Sequence, residues 1–249
     1  MPRHPRGPGP VPDRFAAVPP ARLHVRLMLL VTFATGVVDA VGYLGLDRVF
    51  SANMTGNVVI LGMALAGADE LPILGPVLAL LGFLLGAAIG GRVLRSTGTG
   101  WTRHHTALFA AVSILTLLLA GVCLAVGNEP SATVGVTVAA VLGAAMGCQA
   151  ATARHLAVKD VTTVVVTSTL TGLAADSRFG SGVREGSARR AGAVALILAG
   201  AGVGAALYQW HLGAGLVLAG LLVVAATVVG ELHRRVAARP VVAAVPQPA

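Results

Sequence analysis

A lone carboxylate, Asp39, stands inside an apolar run from Leu27 to Leu46. An acid in hydrocarbon is costly, so one kept there is read as a site for a cation, a proton or a hydrogen-bonding partner. Candidate partners follow along the chain, where Asn53, Thr55 and Asn57 flank Gly56. Asn and Thr cap helix starts, and glycine lets a second backbone come near. A helix beginning at that depth would turn unpaired N–H groups and a partial positive charge toward an anionic or polar solute. The same side chains would equally serve to satisfy a buried break in the backbone. A second polar set, Thr169, Thr171 and Gly172, lies far downstream, after Gln149 in another apolar run. Together these residues form the candidate substrate or ion site.

The elements that must position them are membrane spans. Of the 249 residues 55% are apolar and 11% charged, with a mean hydropathy of +0.82. A soluble domain is about a quarter charged. Runs of about 20 apolar residues suffice to cross a bilayer. Six qualify: Leu27–Leu46, Leu71–Gly91, Thr106–Val126, Thr133–Ala153, Ala191–Trp210 and Leu212–Leu232. Two stretches are ambiguous. Val49–Gly67 carries Ser51 and the Asn–Thr cluster, and Val161–Ala175 is shorter and rich in Thr. A basic, Pro-rich tail over residues 1–23 and a second tail over 237–249 read as disordered.

Charge decides between six spans and eight. With six spans and a cytoplasmic N-terminus, only Arg48 of the 18 Lys and Arg residues lies outside. If both ambiguous stretches cross, Arg48, Arg92, Arg95, Arg103, Arg154 and Lys159 all lie outside. The positive-inside rule favours six, with both termini in the cytoplasm. The two polar stretches then enter the membrane and return on the same side. Non-helical backbone at that depth is tolerated only when buried in protein or lining a wet cavity.

The halves 24–130 and 131–236 echo each other. Thr55-Gly56 aligns with Thr171-Gly172, and Gly36 with Gly147. Each half reads as one span, a re-entrant segment and two spans. Three spans is an odd number, so the second half is inverted, as in many secondary transporters. On that pattern Asn57 or Thr55 should lie near Thr169 or Thr171. The counterpart of Asp39 falls near Ala150, so ionisable chemistry would be one-sided. The fold expected is all-α and polytopic: six transmembrane helices, two broken re-entrant segments and a 3+3 inverted repeat.

The run Gly36-Val-Val-Asp39-Ala-Val-Gly-Tyr43, followed by Val49-Phe50 and Asn53-Met54-Thr55-Gly56-Asn57, resembles the YoaK-like family of bacterial integral membrane proteins. Gly147-Cys-Gln149-Ala and the Thr-rich run to Thr171-Gly172 are similar to that family's second signature. The resemblance covers Leu27 to Arg235. It implies a six-span protein of the bacterial cytoplasmic membrane, and it implies no reaction.

Other residues point to packing. Gly82, Gly86 and Gly90, Gly143 with Gly147, and Gly200 with Gly204 recur at four-residue spacing, which suits close helix contact. Cys123 and Cys148 read as small apolar residues, His104 and His105 as interfacial loop residues, and Arg154 and His155 as topology anchors. No His-Glu-x-x-His, Gly-x-Ser-x-Gly or nucleotide-binding pattern occurs, so no catalytic residue, metal or cofactor is expected. The scarcity of aromatics, 4%, argues against nucleic acid as a partner. The expected partners are the lipid bilayer and a small solute, with self-association left open. The leading reading is a secondary transporter or channel for a small polar or anionic solute, coupled to protons through Asp39. A membrane scaffold and an intramembrane enzyme stand behind it. A dry, filled centre would favour the scaffold.

Overall fold

The computed structural model of the chain describes residues 18–156, 166–178, 180–182 and 186–238. Among the described residues every regular element is a helix: α1 (Pro20–Gly45), α2 (Met54–Leu65), α3 (Leu74–Leu94), α4 (Arg103–Val126), α5 (Ala132–His155), α6 (Val166–Ala175), α7 (Ser187–Trp210) and α8 (Leu212–Ala237). Six of these are long and apolar enough to cross a membrane: α1, α3, α4, α5, α7 and α8. The 12 residues of α2 reach roughly 18 Å, well short of a hydrocarbon core of about 30 Å. α6 is shorter still.

Helix ends follow local chemistry. α1 begins at Pro20, inside the stretch expected to be a tail, because proline at the first helical position wastes no hydrogen bond. α4 begins at Arg103, ahead of Thr106, because Thr102 and His105 cap each other's backbone N–H. His105 is therefore a helical residue and fully buried, which corrects its reading as an interfacial loop residue. α8 starts sharply after α7. Its first N–H groups are taken by Asn128 Oδ1, which accepts from Leu212 at 2.7 Å, and by the His211 ring, which accepts from Gly213. The remainder of the two expected tails and Lys159 lie outside the described residues.

Small residues set the helix directions. A Cβ on Gly36 would strike the carbonyl oxygen of Ile197, one on Gly200 that of Phe33, and one on Gly204 that of Val37. The numbers rise together, so α1 and α7 run parallel. Gly86 meets the carbonyl of Ala144, Gly90 that of Cys148, and Gly147 that of Phe83, so α3 and α5 also run parallel. On α8, Gly213 faces Ala120 and Leu124 of α4, while Gly230 faces Trp101, so these two helices are antiparallel. Gly215 against Val41, with the His233 ring 3.0 Å from the Val18 carbonyl, makes α8 antiparallel to α1 as well.

These directions place the starts of α1, α4 and α7 at one end of the bundle with the ends of α3, α5 and α8. That end carries Arg22, Arg92, Arg103, Arg154, Arg190 and Arg234. Asp47, Arg48, Asp69, Glu70 and Glu129 stand in the connections at the other end.

α1 also packs on α8, and α5 on α4; α1 and α5 touch where they cross. α2 rests on α3, and α6 on α7. The core between them is apolar, led by Met28, Val31, Val38, Leu142, Leu216 and Phe109.

Candidate functional site

After α1 the chain doubles back along it. Gly42 makes this turn fit, since a Cβ there would lie 2.7 Å from the carbonyl oxygen of Val49 and 2.9 Å from Ser51 Oγ. The returning backbone then meets Asp39. The carboxylate Oδ1 accepts N–H bonds from Ser51 at 3.0 Å, Ala52 at 2.7 Å and Asn53 at 3.3 Å. Asp39 lies six residues before the end of α1, a depth of roughly 9 Å along the helix. The segment 46–53 thus descends to that level before α2 begins.

Asn57 holds the same segment from its other side. Its Oδ1 accepts from the Phe50 N–H at 2.8 Å, and its Nδ2 donates to the Phe50 carbonyl at 2.6 Å. Phe50 stacks on Tyr43 with ring centroids 4.8 Å apart. Asn53 caps α2 by accepting the Gly56 N–H at 3.4 Å. A Cβ on Gly56 would meet the Phe50 ring at 2.6 Å. Asp39, Asn53, Gly56 and Asn57 therefore form one local constellation, with Asp39 turned into the protein. Thr55 lies exposed on the far side of α2.

This geometry corrects one expectation. In place of free N–H groups offered to a solute, those on the approach to α2, of Ser51, Ala52 and Asn53, are taken by the chain's own carboxylate. The Met54 and Gly56 N–H groups bond within the turn as well, to the Ala52 and Asn53 carbonyls.

A second expectation also fails. α2 and α6 make no contact with each other among the described residues. Thr169 is buried and bonded, Thr171 donates back to the Thr167 carbonyl at 2.9 Å, and Gly172 lies against the Arg190 guanidinium. Arg190 pairs with Asp176 just beyond α6. The reason is steric: α1 and α5 cross in the middle, and each short helix rests on the outer helix of its own half. Thr55 and Asn57 consequently do not meet Thr169 or Thr171.

Gln149 lies at the α1–α5 crossing. Its Nε2 donates to Thr35 Oγ1 at 3.2 Å, one helical turn from Asp39, while its Oε1 is buried with no partner among the described residues. The surrounding gap, between Ala34, Val38, Thr116, Met146 and Val223, is too narrow for a water molecule.

Sequence reasoning missed a polar cluster at the basic end. His105 Nε2 and His155 Nδ1 are 3.1 Å apart. The Thr102 N–H reaches His105 Nδ1 at 3.2 Å. That nitrogen is therefore the acceptor, so Nε2 carries the hydrogen and donates to His155. His155 Nε2 in turn faces Thr97 Oγ1 at 3.4 Å. His155 joins α5 to α4 and is more than a topology anchor. Beside it, Trp101 Nε1 donates to Thr106, and Thr106 donates to Glu231 Oε2, both at 2.8 Å. The Thr102-x-x-His105 spacing is the one available sequence signal, a capping box with His in the acidic position.

A protein family described as "Protein of unknown function (DUF1275)" matches residues 27–229. The chain is 32% identical over 152 residues to the UPF0700 transmembrane protein YoaK of Bacillus subtilis (strain 168). That alignment covers 60% of this chain and 65% of the relative, just under two thirds of its length. No solved structure matches. With the match running through all six long apolar helices and the Asp39–Asn57 constellation, the chain belongs to the DUF1275 family of membrane proteins of unknown function.

Proposed function

We propose that the protein is a secondary transporter or channel for a small polar solute, built from two inverted halves in the bacterial cytoplasmic membrane. The observation that carries this reading is the helix packing. Exchange α1 with α5, α2 with α6, α3 with α7 and α4 with α8, and the set of packed pairs is unchanged. The correspondence extends to residues. Gly36 on Ile197 answers Gly147 on Phe83; Gly200 on Phe33 answers Gly86 on Ala144; Gly204 on Val37 answers Gly90 on Cys148. A fixed shift of about 111 residues relates α1 to α5, and about 114 relates α3 to α7. Paired inverted halves of this kind are the architecture of alternating access.

In this reading the doubled-back segment 46–53 is a re-entrant entry, and Asp39 is the acid that couples it to protons. Ala150 stands in its place in the second half. Proton chemistry is therefore carried by one half alone. The gathering of arginines at one end supports cytoplasmic termini. No reaction is proposed, because among the described residues no nucleophile–base pair converges on Asp39.

The filled crossing of α1 and α5 favours a second reading, a scaffold subunit with no solute path. Reconstitution separates the two. Purified protein is screened against small polar solutes by thermal stabilisation, and hits are tested for saturable uptake into proteoliposomes. A carrier gives uptake that changes with pH and loses that dependence in Asp39→Asn. Absence of stabilisation and uptake across polar, cationic and anionic solutes would reject transport and leave the scaffold.

A further inference from the structure

The basic end of the bundle holds a depression of about 420 Å³, far from Asp39, between the end of α3 and the start of α4. Its lining includes Thr97, Trp101, Thr102, Arg103, His104 and Arg234. We infer that this is a binding site for a phosphate-bearing anion.

The floor is rigid. The Trp101 ring is buried, stacks on Phe109 with centroids 5.5 Å apart, and has its N–H committed to Thr106. Arg234 is held from behind. Its Nε and Nη2 bind the two oxygens of Glu231 at 2.8 and 2.7 Å, which leaves Nη1 without a protein acceptor among the described residues. Glu231 is fully engaged, since Arg235 at 2.6 Å and Thr106 also bind it. It carries one charge against two guanidiniums. Among the described residues no carboxylate lines the depression itself.

Arg103 and His104 supply the opposite wall. The Arg103 side chain is exposed there and the His104 ring half-buried. They are also the first two residues of α4, a helix of 24 residues; Thr102 caps the His105 N–H, which leaves those of Arg103 and His104 without an intrahelical acceptor. Two guanidiniums, an imidazole and the first turn of α4 converge on one concave spot. Exposed arginines scattered for topology would need none of this convergence. Guanidinium pairs with open edges suit the tetrahedral, multi-oxygen face of a phosphate group. At the end of a membrane bundle, that group belongs either to an anionic lipid headgroup or to a soluble phosphate compound.

The test uses the full chain purified in a non-ionic detergent, with thermal unfolding as readout. Inorganic phosphate is titrated against potassium chloride at equal ionic strength, and phosphatidylglycerol against phosphatidylcholine in mixed micelles. Wild type should be stabilised by phosphate or by phosphatidylglycerol beyond its control. Response to phosphatidylglycerol alone assigns a lipid headgroup; response to inorganic phosphate assigns a soluble anion. Arg103→Gln should unfold at the wild-type temperature without ligand, yet bind about tenfold more weakly or worse. His104→Ala, on the same wall, should also weaken binding. Arg95→Gln, outside the depression, should behave as wild type. The site is overturned if neither phosphate species stabilises wild type, or if Arg103→Gln and His104→Ala respond as wild type does.

Discussion

Asp39 Oδ1 and the amide nitrogen of Ala52 stand 2.7 Å apart, thirteen residues along the chain. Two further N–H groups, of Ser51 and Asn53, converge on the same oxygen. The carboxylate is the anchor around which the chain turns back. Replacing Asp39 with Leu leaves these donors without an acceptor, at about 1–3 kcal/mol for each buried group left bare. Asp39→Asn keeps an oxygen in place and loses only the charge. We expect Asp39→Leu to cost at least about 2 kcal/mol more than Asp39→Asn in thermal or denaturant unfolding. Equal stability of the two variants would mean the bonds contribute nothing.

Glycine on the helix faces gives a sharper contrast. Gly36 and Gly147 sit on the backbones of α7 and α3, where a side chain has no room. Gly36→Leu and Gly147→Leu should each destabilise by about 1–3 kcal/mol or more, because the helices must part. Gly62, with nothing within 4 Å of its would-be Cβ, should accept alanine with a gain of about 0.5–1 kcal/mol. Matching losses at Gly36 and Gly147 would also support their equivalence in the two halves. A harmless Gly147→Leu would undo the close contact with Phe83.

Gln149 leaves its Oε1 buried without a partner at the centre of the bundle. A group of that kind lowers stability, so Gln149→Met, similar in volume, should unfold at the wild-type temperature or above it. Reduced solute uptake in the same variant would place Gln149 on the transport path. A marked fall in unfolding temperature would show instead that the amide is structurally satisfied.

Membrane orientation can be read with single cysteines after Cys123 and Cys148 are replaced by alanine. A cysteine at Glu129 should react with an impermeant maleimide in intact cells, and one at Arg95 only after lysis. The reverse pattern would invert the proposed topology, and labelling of both from outside would break it.

Much of this architecture is legible in the chain because bilayer physics acts on long runs. The run Leu212–Leu232 became α8, which extends only to Ala237, and the short polar stretches yielded short helices. The link between Asp39 and Asn53 was legible for a similar reason: an acid in hydrocarbon needs donors, and the nearest polar cluster supplied them. The donors proved to be backbone N–H groups of residues 51–53, and side-chain composition does not report those. The His105–His155 contact joins residues 50 apart on neighbouring helices. It depends on how α4 and α5 are set side by side, which neither residue's surroundings in sequence encode. The separation of α2 from α6 has the same origin, because it rests on the crossing of α1 and α5.

The carboxylate of Asp39 is tethered to the very segment whose N–H groups it occupies. A ligand on a short tether acts at an effective concentration that is roughly millimolar or higher, and dilution never removes it. A free carboxylate or phosphate arriving at Ser51–Asn53 meets a resident competitor. Affinity there is governed less by how many donors the site presents than by how readily Asp39 withdraws. The segment is in this sense self-plugged, and removing the plug, as in Asp39→Ala, is the change that would open it to anions from outside.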